Sequence, residues 1–193
     1  RFISNFSSGI QGFEIARALS SAGAETILIS GPTNVKETEG IKKIDVMSGE
    51  DFYNNVNNYL PCDMFISVAA ISDWKASNFK NNKIKKEQTN LNLNLKKNID
   101  VLEKISKCKM RPPLVIGFSA ETNNLIENSK KKLRKKKCDW IIANIVSDSE
   151  GFGNVKNKVA FIDKNQVEMW SSLNKEQISK KIVKKIVNFF KKK

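Results

Sequence analysis

With 193 residues, 40% of them hydrophobic, the chain has the length to bury one sizeable core, and it contains no histidine. That absence removes Ser-His-Asp and Cys-His nucleophile pairs and every histidine-based metal site, so any catalysis rests on Lys, Asp, Asn, backbone amides and a hard metal ion. The net charge of +14 raises nucleic-acid binding as a reading, but the lysines fall in short runs along helices and turns without interleaved aromatics, the pattern of solvated helix surface.

In chain order, residues Gly9 to Ala22 read as a helix with Ile10, Phe13, Ile15, Ala16 and Leu19 facing inward and Gly23 as its stop. A strand over Thr26 to Ser30 follows, closed by Gly31-Pro32, and Ile41 to Val46 is the next. Ser48 caps a helix through Leu60, with Glu50 and Asp51 in its first turn. The strand Asp63 to Ala70 leads into a loop at Asp73, and the alternation of Leu91-Asn-Leu-Asn-Leu95 marks a half-exposed strand or flap arm. Helix Ile99 to Lys107, strand Leu114 to Phe118, helix Asn123 to Lys137 and strand Trp140 to Ala143 continue the alternation. Val159 to Ile162 and Val167 to Trp170 flank Asp163-Lys-Asn-Gln166 as an antiparallel hairpin, and a last helix, Lys175 to Phe190, carries Ile178, Ile182, Ile186 and Phe190 as its stripe. Repeated strand-helix units predict an α/β domain with a mostly parallel sheet and helices on both faces.

Cys62, Cys108 and Cys138 are widely spaced and odd in number, so they predict free, buried or half-buried thiols rather than a disulfide framework or zinc site. No run approaches the roughly 18 apolar residues of a membrane span, and a signal-peptide pattern is missing from the amino terminus. A soluble, cytoplasmic protein without a membrane partner is the expectation.

Asp73 ends the apolar stretch Met64 to Ile71, and Lys83-Ile84-Lys85-Lys86 begins ten positions later. A carboxylate at a strand's carboxyl end, followed by a lysine-rich loop, is equipment for holding a nucleoside triphosphate and its metal. The opening segment Arg1-Phe-Ile-Ser-Asn-Phe-Ser-Ser-Gly9, with Gly12 beyond it, reads as a loop feeding a helix amino terminus, which favours anions. Lys132 and Lys136 share one helical line with Leu125 and Ser129. Asn98 in Lys97-Asn98-Ile99-Asp100 reads from its residues alone as a helix cap, and Phe118 in Gly117-Phe-Ser-Ala-Glu-Thr122 as core.

Together these segments resemble the phosphopantothenoylcysteine synthetase family, the ligase half of the bacterial bifunctional coenzyme A enzyme, over nearly the whole chain. The resemblance implies a three-layer Rossmann-like sheet with a C-terminal antiparallel hairpin, and one ligase domain over residues 1–193. It implies that Ser67, Val68, Ala69 and Asp73 contact the nucleotide, as do Ile99, Asp100, Val101 and Leu102, with Phe118 walling the base or ribose. Lys132 and Lys136 would bind the triphosphate, and Lys83 would close over it from a mobile flap. Asn5 would hold the acyl group, with Arg1, Ser8, Gly9 and Ala70 near the substrate; Asn5 and Lys83 are the implied catalytic residues. Asp139 to Asn144 and Gly151-Phe152-Gly153 to Asn157 match segments with a structural role. The implied reaction joins 4'-phosphopantothenate to cysteine through an acyl-cytidylate formed from CTP with Mg2+, and the implied assembly is a homodimer. FMN would belong only to a separate decarboxylase portion, as an upstream domain or chain.

A doubly wound fold opens on a strand, and the family places there a strand ending in Gly-Gly-Thr-Arg-Glu; this sequence opens at the loop, so an N-terminally incomplete domain is expected. Two other readings stay open on the residues alone. A Rossmann-like NAD(P)-dependent oxidoreductase needs a GxGxxG, of which Ser7-Ser-Gly9-Ile-Gln-Gly12 is a partial version, and a basic non-catalytic module would bind any nucleic acid in a salt-sensitive way.

Overall fold

In a computed structural model of the chain, residues 4–5, 7–36, 38–77, 92–145 and 157–192 are described. Gly9, at φ +74°, turns the chain into α1 (Ile10–Ser21), whose Phe13, Ile15, Ala16 and Leu19 are buried while Ile10 is exposed, against expectation. Strands β1 (Ile27–Ser30) and β2 (Lys42–Asp45) pair in parallel as a two-stranded sheet. Helix α2 (Gly49–Asn58) begins in a reciprocal cap, the Ser48 hydroxyl accepting from the Asp51 amide and the Asp51 carboxylate from the Ser48 amide. Strand β3 (Met64–Ser67) is shorter than its apolar run, because the chain leaves the sheet at Val68.

Beyond the Asp73 loop, β4 (Trp74–Ala76) pairs antiparallel with β5 (Leu95–Lys97), and the Ser77 amide carries the pairing on to the Asn94 carbonyl. The strand expected at 91–95 is observed at Leu95–Lys97, on a partner that the sequence reading did not name. Helix α3 (Val101–Ser106) is capped by Asp100, whose side chain accepts from the Glu103 amide. Asn98 is therefore not the cap. Strand β6 (Leu114–Glu121), α4 (Leu125–Lys136), β7 (Trp140–Ile145), β8 (Asn157–Ile162), β9 (Val167–Leu173) and α5 (Lys175–Lys191) complete the order. The Asp163 carboxylate accepts from the Asn165 and Gln166 amides and so closes the β8-β9 hairpin.

The main sheet has the order β3-β6-β7-β8-β9, parallel across its first three strands and antiparallel across the last three. Alternate residues point to opposite faces of a strand. Leu114, Ile116, Trp140, Ile142, Val159 and Phe161 accordingly meet Ile15 and Leu19 of α1 and Ile178, Ile182 and Ile186 of α5. Val115, Ile141, Ala143, Ala160 and Ile162 meet Leu102 of α3 and Leu133 of α4 on the other face. A third cluster joins α2 and α3 through Val56, Val101 and Ile105 and takes in Ile29 of β1 and Phe65 of β3. The sheet is therefore sandwiched between helices, as the strand-helix alternation predicts.

The Arg111 guanidinium donates to Asp139 at 2.7 Å, and the same carboxylate oxygen accepts from the Val115 amide at 2.7 Å, locking the start of β7 to β6. Cys138 is buried, which pushes its thiol up to about 11, and Cys62 and Cys108 are half-buried and free. Among the described residues no helix is long and apolar enough to cross a membrane.

Gly117 stands at the crossing of β6 with both neighbours, where an added Cβ would meet Leu102 Cδ2 at 2.7 Å and Ile141 Cδ1 at 2.9 Å. Overpacking of this kind costs about 1–3 kcal/mol. Gly117→Ala is expected to lower the urea unfolding midpoint with an unchanged slope; an unchanged midpoint would show that the two side chains yield freely.

Candidate active site

A parallel sheet sends its loops to the carboxyl ends of the strands, and the residues singled out from sequence meet there. One cavity of about 1860 Å3 is lined by Asn5, Ser8 and Gly9 before α1, by Ser67, Val68, Ala69, Ala70 and Asp73 after β3, by Ile99, Asp100, Val101 and Leu102 at α3, by Phe118 of β6, and by Lys132 and Lys136 of α4. Arg1, Lys83 and the segment 151–156 lie outside the described residues.

The segment after β3 turns sharply, the Ile71 amide donating to the Ala69 carbonyl at 3.0 Å, and this leaves Ala69 and Ala70 exposed at the mouth. The Asn5 side-chain amide donates to the Ile71 carbonyl at 3.4 Å, a long bond that brings the opening loop to the β3 loop. Asn98 ties the far side of that loop. Its side-chain amide donates to Ser72 O at 2.9 Å, its backbone amide donates to Asp73 O at 2.8 Å, and its Oδ1 accepts from the Ile99 amide at 2.9 Å. The exposed Asp73 carboxylate carries no bond to another described residue.

Gly49 closes the same knot, since a Cβ there would lie 3.0 Å from Asn98 Nδ2 and 3.2 Å from the Ile71 side chain. The Thr33 hydroxyl donates to Ser8 O at 3.0 Å and lies 3.0 Å from the point a Gly9 Cβ would occupy, so a side chain at Gly9 would meet both a positive φ and a clash. Helix α1 has no side-chain cap and no acid in its first turn, which leaves its amino end open to an anion.

Lys132 and Lys136 are half-buried, whereas Lys130, Lys131, Lys135 and Lys137 are exposed. Helix α4 is aimed by Glu121, which accepts from Ser119 Oγ at 2.7 Å and Asn128 Nδ2 at 3.1 Å. Lys132 Nζ donates to the Phe118 carbonyl at 2.8 Å. Lys136 Nζ pairs with the Asp100 carboxylate and lies 3.0 Å from Glu103 Oε2, so its charge is already matched by protein, whereas among the described residues Lys132 faces only a carbonyl. Burial works against the charged form of Lys136, but bonding to Asp100 and Glu103 outweighs it and raises the pKa.

Thr33, Gly49 and Glu103 went unnoticed in the sequence. Glu103 carried a signal, its place in the first turn after Asp100, but that position reads as dipole stabilisation and does not reveal a partner on α4.

Bonding from Lys107, then from Lys136, pulls the Glu103 carboxyl from 4.5 down to about 2. A carboxyl depressed on folding contributes stability above its unfolded pKa and loses it as pH falls through the folded one. The Lys107 side chain is 40% exposed, so solvent screening holds the gain to about 1 kcal/mol or less. Glu103→Gln is expected to flatten the fall of unfolding free energy between pH 4.5 and 2, as followed by urea titration. Parallel curves for the two proteins would show that the pairs contribute nothing.

Residues 1–190 match the family described as the DNA/pantothenate metabolism flavoprotein C-terminal domain. The coenzyme A biosynthesis bifunctional protein CoaBC of Borreliella burgdorferi is 36% identical over 187 residues, covering 95% of this chain and 47% of that protein. A cysteine/cysteine sulfinic acid decarboxylase from an unknown prokaryotic organism is 33% identical over 191 residues, covering 97% of this chain and 53% of that one. The chain spans about half the length of these curated relatives. Among solved structures, the C-terminal domain of a CoaBC bifunctional protein superposes with a TM-score of 0.82 at 30% identity, covering 100% of this chain and 88% of that one. The chain therefore belongs to the family of the DNA/pantothenate metabolism flavoprotein C-terminal domain.

Proposed function

We propose that the chain is a ligase domain of coenzyme A biosynthesis that joins 4'-phosphopantothenate to cysteine at the expense of CTP. The observation that carries this reading is the convergence on one cleft of the Asn5 amide, the uncapped end of α1, the Asp73 carboxylate and two half-buried lysines. Those groups suit a reaction in which negative charge develops twice, first on phosphate and then on an acyl oxygen. The names of the CoaBC relatives, and the match to a C-terminal CoaBC domain, support the same pathway.

In the first step a carboxylate oxygen of 4'-phosphopantothenate attacks the α-phosphorus of CTP, the bond to pyrophosphate breaks, and an acyl-cytidylate forms. In the second, the amine of cysteine attacks the acyl carbon, CMP leaves and the amine gives up a proton. Lys132, held by a neutral carbonyl, is the cation most readily turned toward a triphosphate, and Lys136 would follow by exchanging Asp100 and Glu103 for phosphate oxygens. Backbone groups of Ala69, Asp73 and Ile99 to Leu102 read the cytosine, and Ala70 lies on the substrate side. The Asn5 amide donates toward the acyl group, and Lys83, outside the described residues, is assigned to the phosphates by the resemblance.

Mg2+ keeps several waters and takes few protein ligands beside substrate phosphates, so the exposed carboxylate of Asp73 fits such an ion. The homodimer belongs to this proposal, as do one ligase domain over residues 1–193 and an upstream decarboxylase portion carrying FMN. Against a dinucleotide site, β1 ends in Ser30 followed by Gly31, where a ribose-binding acid would stand. Against a nucleic-acid surface, Lys131, Lys180 and Lys185 are matched by Glu127, Glu176 and Glu168.

Pyrophosphate release is expected to require 4'-phosphopantothenate and to prefer CTP; equal release with ATP would remove the cytosine assignment. Removal of one oxyanion donor typically slows a step by about 100- to 1000-fold. Asn5→Asp is therefore expected to accumulate acyl-cytidylate in quenched-flow mass analysis, and Lys83→Ala to lose pyrophosphate release itself. If the Asn5 variant released no pyrophosphate and formed no intermediate, Asn5 would belong to the first step.

A further inference from the structure

Two acids at the start of α3, the cap Asp100 and Glu103, line the cleft, and each divides its oxygens between two partners. Asp100 Oδ1 accepts from the Glu103 amide at 2.9 Å while Oδ2 pairs with Lys136 Nζ. Glu103 Oε2 lies 3.0 Å from the same ammonium, and its Oε1 lies 2.5 Å from Lys107 Nζ. The Lys136 side chain is 15% exposed, less than Asp100 at 39% or Glu103 at 31%. An ammonium so placed leaves a carboxylate for another anion rather than for bulk water. Its departure strips neither acid, because Asp100 keeps the Glu103 amide and Glu103 keeps Lys107, the residue that ends α3. Lys132 and Lys136 are neighbours on α4, yet their ammonium groups point to different elements, the Phe118 carbonyl of β6 and the start of α3. One phosphate at Lys132 is therefore out of reach of Lys136, and a run of phosphates is needed to join the two.

We infer that Glu103, braced by Lys107, is a positioning residue that competes with polyphosphate for Lys136: it holds the ammonium on α3 while the cleft is empty, yields it to the outer phosphates of a nucleoside triphosphate, and takes it back as pyrophosphate departs. The inference rests on the nucleotide reading of the cleft proposed above. Asp100 is fixed by its cap bond whether or not Lys136 is present, whereas Glu103 has a second cation ready and so can release the first. Breaking the Glu103 contact opposes the binding of triphosphate and of pyrophosphate alike, so the contact sets how firmly substrate and product are held. A nucleoside monophosphate at Lys132 leaves it intact.

The test is titration calorimetry at fixed ionic strength with CTP, inorganic tripolyphosphate, pyrophosphate and CMP, which needs no turnover. Glu103→Gln is expected to bind the first three about two- to five-fold more tightly, the worth of one half-exposed ion pair, and CMP as before. Lys107→Gln leaves Glu103 to Lys136 alone and is expected to weaken the same three. In a Lys136→Gln background both substitutions are expected to lose their effect, whereas a general effect of net charge acts with or without Lys136. The inference falls if Glu103→Gln weakens or leaves unchanged the binding of CTP, if CMP gains as much as CTP, if Lys107→Gln does not weaken binding, or if the gain persists without Lys136. In those cases the nucleotide reading stands, since CTP still binds. Failure of the parent chain to bind either CTP or tripolyphosphate overturns both, and the expected pattern without pyrophosphate release on adding 4'-phosphopantothenate supports the Glu103 contact while removing the ligase reading.

Discussion

The ladder of β3, β6 and β7 is parallel and covered on both faces, and that burial decides where function can sit. A strand buried on both faces has only its ends to offer solvent, and in a parallel set all carboxyl ends emerge at one edge. Helices α1 and α5 seal one face and α3 and α4 the other. The loop at 68–73, the segment 98–100 ahead of α3 and residues 118–120 of β6 are thereby delivered to a common edge, although their sequence separations are large. The close approach at Gly117 belongs to the same packing: Leu102, which lines the cleft, leans over the one position of β6 that has no side chain.

Charge in the cleft is arranged by pairing rather than by number. The chain carries +14, but lysine and glutamate one helical turn apart neutralise one another on α4 and α5, and Lys185 is held between Glu168 and the ring of Phe161. Burial disfavours the charge of Lys136, and Asp100 and Glu103 more than offset that. The result is a cation kept charged while no substrate is present, with its partners on a different element from its own. Lys132 is poised differently, since a carbonyl orients an ammonium without neutralising it.

The elements that the sequence revealed best are those whose signals are local. Helix α2 is legible from Ser48 and Asp51, three residues apart, and the β8-β9 hairpin from two runs flanking Asp163-Lys-Asn-Gln166, because caps and tight turns act within a few residues. The line that Lys132 and Lys136 share with Leu125 and Ser129 also follows from helical spacing. What escaped was non-local. Asn98 has the composition of a cap, but Asp100 takes the cap, because the β3 loop offers Asn98 the carbonyls of Ser72 and Asp73. Strand β4 is three residues long and exists through its partner β5, so no periodicity could mark it. The resemblance of motifs named site residues that spacing alone could not have assembled from segments 60 and more positions apart.

The two walls of the cleft hang on different sheets. Thr33, which carries the Ser8 carbonyl, follows β1, whereas Ile71, which receives the Asn5 amide, follows β3. Asn5 and Ser8 are three residues apart on one loop, so any change in the spacing of β1 and β3 stretches that loop between its two anchors. The Asn5 bond, at 3.4 Å, is the longer of the two and gives first. On the opposite side Asn98 holds the loop through two hydrogen bonds, to Ser72 O and Asp73 O, and Gly49 leaves the room that Asn98 and Ile71 occupy. The position of the Asn5 amide over the cleft is thus set by what holds the two sheets apart, whereas the Asp73 loop is set by its own packing.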